Sequence, residues 1–127
     1  RSAWAERTPV AVEVAFEMSF GARVIRGRMD AVFQDRAGRF TVVDWKTGRQ
    51  PRGKDASVAA IQLALYRLAW ASIRGIEDAA LDTVGAAFHY VAEDVTVAPA
   101  DLLNPAELRR LINGTELAAG AGANLAR

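Results

Sequence analysis

The chain has 127 residues, of which 51% are hydrophobic and 24% charged, with a formal net charge of +1 and no cysteine. That length suits one small domain with a single core. The lack of cysteine excludes both a disulfide framework and a thiolate metal site, so a cytoplasmic setting is expected. The chain opens at Arg1 without an initiator methionine or a signal-like segment, and it reads as a piece cut from a longer protein. No apolar run reads as long enough to span a membrane, so no membrane partner is expected.

In chain order, Val10, Val12, Val14, Phe16, Met18 and Phe20 alternate with Ala11, Glu13, Ala15, Glu17 and Ser19, the period of a strand with one buried face. Gly21-Ala22 turns the chain into a second strand, Arg23 to Phe33, and Thr41 to Gly48 forms a third. Glu13 and Glu17 share a polar face, where they could pair with Arg26 and Arg28 or reach a metal. Arg49 to Asp55, with Pro51 and Gly53, is a basic loop, and Asp55 or Ser57 can cap a helix from about Ser57 to Arg74 that Gly75 closes. On that helix Ile61, Leu65, Leu68, Ala69 and Ile73 should lie on the sheet, and Leu63 and Trp70 read as packing groups. Val84 to Val91 is a further strand, and its His89 reads as a satisfied structural residue. Ala92-Glu93-Asp94 turns into Val95 to Ala98, and Pro105 starts a short helix to about Ile112 with Asn104 as its cap. The core is thus about 10–113 of a single domain, and the Ala- and Gly-rich stretch from Leu117 to Arg127 reads as a frayed tail. Three antiparallel strands, a helix, another strand and a short partner make an α/β sheet with helix cover.

The hairpin from Gly27 to Gly48 carries the chemistry. If Asp35 pairs with Arg39 across a three-residue loop, with Gly38 available for a left-handed position, the register sets Asp30 opposite Asp44. Alternation then puts Asp30, Asp44 and Lys46 on one face. Like charges placed opposite one another destabilise a sheet by up to roughly 1 kcal/mol, so the two carboxylates need a cation. Lys46 alone can serve, bridging both. Magnesium or manganese can also serve, because these hard ions keep several waters and need one or two protein carboxylates beside a phosphate. Spacing alone does not choose between them.

Between Arg23 and Lys54 nine basic residues face three acidic ones, a local balance of +6 hidden in a nearly neutral chain. That excess surrounds the hairpin aspartates, as expected where a polyanion approaches.

Asp30 after Gly27-Arg28-Met29, then Asp44-Trp45-Lys46-Thr47-Gly48 on the next strand, then Gln62-Leu63-Ala64-Leu65-Tyr66 on the following helix, together resemble the RecB-type branch of the PD-(D/E)XK nucleases. The nuclease domain at the C-terminus of UvrD-like helicases and in AddAB- or AdnAB-type helicase-nucleases is the most similar, over roughly Val10 to Val97. The resemblance implies a restriction-endonuclease-like core, a mixed β-sheet with helix cover, here without its first helix. It further implies Mg2+ or Mn2+ held by Asp30, Asp44 and the backbone carbonyl of Trp45, and Lys46 as the catalytic lysine beside Asp30 and Asp44. Gln62 and Tyr66 would contact DNA, helped by Arg49, Arg52 and Lys54 of the basic loop. An additional upstream histidine or glutamate ligand of the family has no counterpart in this chain, and His89 does not inherit its role. The expected function is a metal-dependent DNA nuclease domain of a bacterial helicase-nuclease, acting in repair or recombination on a single strand or duplex end. The alternative is a catalytically inactive module that binds DNA or braces a helicase motor in the same or a partner chain. A missing cover helix would also expose apolar sheet surface, so self-association is a further expectation.

Overall fold

The computed structural model describes residues 3–114, without the side chains of Ala3, Lys54 and Asp55. The proposed tail from Leu117 to Arg127 lies outside the described residues. A short 3-10 helix, Ala3–Glu6, precedes strands β1 (Ala11–Phe20), β2 (Arg23–Gln34) and β3 (Phe40–Lys46). Helix α1 (Lys54–Arg74) and a second 3-10 segment (Asp78–Thr83) lead to β4 (Val84–Tyr90), β5 (Val95–Val97) and helix α2 (Pro105–Gly114). The strands lie side by side in the order β1-β2-β3-β4-β5, and the crossover through α1 makes β3 and β4 parallel while the other pairs are antiparallel. The sheet is mixed, with both helices on one face, as expected of an α/β nuclease-like core.

The β2–β3 turn forms as its composition requires. Asp35 N–H donates to Arg39 O at 2.9 Å, and the Asp35 carboxylate accepts from the Ala37 and Arg39 amides, each at 2.9 Å. Gly38 takes φ 90°, a conformation that costs a residue with a Cβ. The resulting register pairs Ala31 with Val43 and Phe33 with Thr41, and one step further it sets Asp30 against Asp44. Strand β3 ends at Lys46, so Thr47 and Gly48 leave the sheet rather than extending it.

Strand β1 departs from strict alternation. Val14, Phe16, Met18 and Phe20 turn toward the helices, but Val12 is 59% exposed and Val10, outside the strand, is 52% exposed. The cause is Glu13, at φ 49°, which flips the strand so that Ala11 takes the inward position expected of its neighbours. A matching break occurs in β2, where Met29 and Val32 both pack under α1 while Ala31 and Phe33 belong to the opposite face.

Helix α1 starts earlier than Ser57, from an N-cap at Gly53 with φ 60° and no side-chain capping bond, so neither Asp55 nor Ser57 is the cap. At its other end Gly75, φ 71°, closes the helix in the left-handed conformation, with Ile76 N–H returning to Ala71 O at 2.8 Å. Ile61, Leu65 and Ala69 are buried and Leu68 is partly so, but Ile73 is 50% exposed because the sheet contact ends a turn earlier. Leu63 and Trp70 are buried as packing groups, Trp70 edge-on to Phe40. The stretch Ala56–Arg74 is, contrary to expectation, long and apolar enough to cross a membrane by length and composition. Half of that window is buried in this fold, the pattern of a core helix apolar on several sides.

Helix α2 carries the expected cap as a reciprocal pair: Glu107 N–H donates to the Asn104 side chain at 2.8 Å, and Asn104 N–H donates to the Glu107 carboxylate at 3.0 Å. Its Leu108 and Ile112 close a second core with Phe20, Ile25 and Leu65. On the sheet face away from the helices Trp4 packs against Ala31, Phe33 and Val43, its ring tilted at 41° to Phe33 with 4.9 Å between centres. Arg7 lies over both rings, 5.2 Å from Trp4 and 5.3 Å from Phe33. Val12 and the 37% exposed Trp45 remain as apolar surface beside them.

Candidate active site

Beyond Ala31 and Val43 the paired strands β2 and β3 carry Asp30 and Asp44, whose side chains are hydrogen-bonded to each other. Burial, as the first cause, and this contact with Asp30 push the Asp44 carboxyl up from its ordinary 3.8 to about 7, despite the opposing pull of Lys46. Lys46 lies two residues along the same strand, with Nζ 2.9 Å from Asp44 Oδ2 and 4.8 Å from the centre of the Phe88 ring. No ion pair of Lys46 with Asp30 appears among the described residues, so the lysine serves one aspartate and not both. Asp30 is fixed differently: its Oδ2 accepts the Trp45 backbone N–H at 2.8 Å.

From the helix side, Gln62 and Tyr66 point at this pair. Gln62 Nε2 donates to Tyr66 Oη at 3.2 Å, and the tyrosine hydroxyl hydrogen-bonds to Asp44. Burial and the two nearby carboxylates raise the Tyr66 hydroxyl pKa well above the usual range, so it stays a neutral donor. Tyr66 is fully buried and Gln62 is 6% exposed, which leaves neither on an outer surface.

A cleft of about 870 Å3 opens over the aspartates, lined by Asp30, Asp44, Trp45, Lys46, Glu13 and Arg28 and closed at its far wall by Trp4, Arg7 and Phe33. Behind Lys46 a second cavity of about 260 Å3 is lined by Arg49, Gln62, Phe88 and Tyr90, so the lysine stands between the two. Of the basic loop, Arg49 thus borders the site and Arg52 is exposed, while the Lys54 side chain lies outside the described residues. Glu17 pairs with Arg26 at 2.9 Å and Glu13 lies 3.8 Å from Arg28, both on exposed side chains. His89 is buried, with Nδ1 2.8 Å from Thr96 Oγ1 and Nε2 3.3 Å from Asp94, as a structural histidine would be.

Among the described residues no group of three or more His, Asp or Glu side chains converges. The donor set nevertheless fits a hard dication, because two facing carboxyls, one of them held by the Trp45 amide, present the oxygens that such an ion takes. Water, phosphate and backbone oxygen would complete its shell.

These residues stand in the order and context of a known family, and a sequence model of the PD-(D/E)XK nuclease superfamily matches residues 1–117. The chain belongs to that superfamily. Membership implies phosphodiester hydrolysis, in a superfamily whose nucleases generally use divalent metal ions. No curated protein matches the sequence. The matched stretch includes Asp30 and Asp44-Trp45-Lys46. Sequence reasoning did not anticipate the part of Trp4 and Arg7 in the cleft wall, since nothing in their spacing links them to β3. It also missed the bond from Tyr66 to Asp44, although the four-residue spacing of Gln62 and Tyr66 and the crossover topology contain it.

Proposed function

We propose that this domain is a divalent-metal-dependent DNA nuclease of the RecB-type branch, cutting single strands presented by a helicase motor in the same or a partner chain in the cytoplasm. The observation that carries the reading is the facing Asp30 and Asp44 with Lys46 2.9 Å from Asp44, all lining one open cleft. A bound magnesium or manganese ion supplies positive charge to the scissile phosphate and acidity to an attacking water. The chain's own residues do the rest. Asp44 would hold the ion as a carboxylate, and the Trp45 amide keeps Asp30 aimed into the cleft. The Trp45 carbonyl is a further candidate donor. Lys46, released from its contact with Asp44, can neutralise a phosphate oxygen or orient water. Arg28 and Arg49 bring positive charge to the two cavities on either side. Trp45 and Trp4 border the cleft with aromatic surface on which unpaired bases can stack, which favours a single strand over an intact duplex. The order Asp30, Asp44-Trp45-Lys46-Thr47-Gly48, Gln62 and Tyr66 supports the helicase-linked branch and a place in repair or recombination.

The test is digestion of an end-labelled single-stranded oligonucleotide with Mg2+ or Mn2+, with EDTA as control. Products that need the metal are expected. The inactive alternative, a module that binds DNA or braces the motor, is favoured by the convergence of two carboxylates rather than three among the described residues. Binding without metal-dependent products would establish it in place of the nuclease.

Electrostatic docking is tested separately. Replacing Arg49, Arg52 and Lys54 together by alanine is expected to weaken single-strand binding and to flatten its salt dependence, by roughly 0.7 in logarithmic slope for each phosphate no longer neutralised. Fluorescence anisotropy across a salt series measures this. An unchanged slope means that the loop faces away from DNA.

A further inference from the structure

We propose that Gln62 and Tyr66 form a hydrogen-bond relay that orients Asp44, acting as positioning residues rather than as DNA contacts. The inference rests on the nuclease reading above and assigns the pair a role within that site. Spaced four apart on α1, the two side chains share the face that the helix lays on the sheet. Tyr66 is fully buried, so that its contact with DNA would require unpacking the core, and Gln62, 6% exposed, reaches only the small cavity behind Lys46. The ring of Tyr66 is held edge-on to Phe16, 6.0 Å between centres at 88°, which fixes where the hydroxyl can lie.

Chemistry sets the direction of the relay. The Gln62 Nε2 group can only donate, so the Tyr66 oxygen accepts from it and has its single proton left for the Asp44 carboxylate. Asp44 receives Lys46 on Oδ2 and meets Asp30, and a third fixed partner from the helix removes the remaining freedom of its carboxyl plane. An amide buried this deeply costs free energy unless bonded, and here Gln62 Nε2 donates to Tyr66 Oη, whose own proton is directed at Asp44. Groups that bond to metal ligands in this way typically change metal affinity by about 10–100-fold when removed.

The experiment compares the wild-type chain with Tyr66→Phe, which keeps the ring and loses the hydroxyl, and with Gln62→Leu. Manganese binding by calorimetry is expected to weaken about tenfold or more in Tyr66→Phe and less in Gln62→Leu, with the thermal midpoint nearly unchanged. Affinity for a single-stranded oligonucleotide in EDTA is expected to stay the same in both. Unaltered manganese affinity in Tyr66→Phe, with or without a loss of DNA affinity, overturns the relay. If the wild type itself binds no manganese, the nuclease reading fails. Crystal structures of the wild type and Tyr66→Phe then decide the relay alone: a rotated Asp44 carboxylate sustains it and an unmoved one overturns it.

Discussion

Replacing Asp44 with alanine is expected to lower DNA hydrolysis by a factor of about 10³ or more while leaving the metal-free domain more stable at pH 8 than the wild type. The activity loss follows from removing one of the two carboxylates that fit the ion, whose charge stabilisation in the transition state is worth several kcal/mol, at about 1.4 kcal/mol per tenfold in rate. The gain in stability follows from the cost of the native residue. Holding Asp44 ionised where its carboxyl sits at about 7 instead of 3.8 costs on the order of 4 kcal/mol at high pH. Losing its packing and hydrogen bonds costs about 1–3 kcal/mol, so the sum favours the variant. Lys46→Ala separates the roles further. An ammonium has no lone pair for a cation, so that variant should lose catalysis and keep manganese binding. Oligonucleotide digestion, calorimetry and urea denaturation of the three proteins check this. An Asp44→Ala protein that cuts DNA as the wild type does would remove the site from consideration.

The hairpin was legible because its determinants are local. Asp35, Gly38 and Arg39 specify the turn, the turn specifies the register, and the register brings Asp30 to Asp44. Helix α1 was legible in its length and its stop at Gly75, but its start was misplaced. The side chains of Asp55 and Ser57 advertised caps, whereas the backbone used a glycine at positive φ. The reversal at Glu13 left no signature, since glutamate in a left-handed conformation is unfavourable and is imposed by surrounding structure rather than by its own preference. The division of labour in the site was hidden for a similar reason. Which residue Lys46 serves, and that Tyr66 reaches Asp44 from beneath, depends on how closely α1 lies on β3 and β4, a tertiary distance with no counterpart in spacing along the chain.

Metal binding and metal-free stability are expected to respond to pH in opposite senses. In the folded protein Asp44 titrates at about 7, above its ordinary 3.8, so between those values the native state holds a proton that the unfolded chain has released. The contribution of Asp44 to the stability of the metal-free domain should therefore be greatest below about pH 4, fall as pH rises toward 7 and level off above it. Manganese requires the ionised carboxylate and must displace that proton. Its affinity should rise by about tenfold per pH unit up to pH 7 and then flatten, so that pH 5 and pH 7 differ by roughly 100-fold. Calorimetry in buffers of different ionisation enthalpy should register close to one proton released per ion at pH 5.5 and little at pH 8.5. Asp44→Asn removes the titrating group and should flatten the stability profile. An affinity independent of pH between 5 and 7 would mean that the ion does not replace the Asp44 proton and binds elsewhere in the chain.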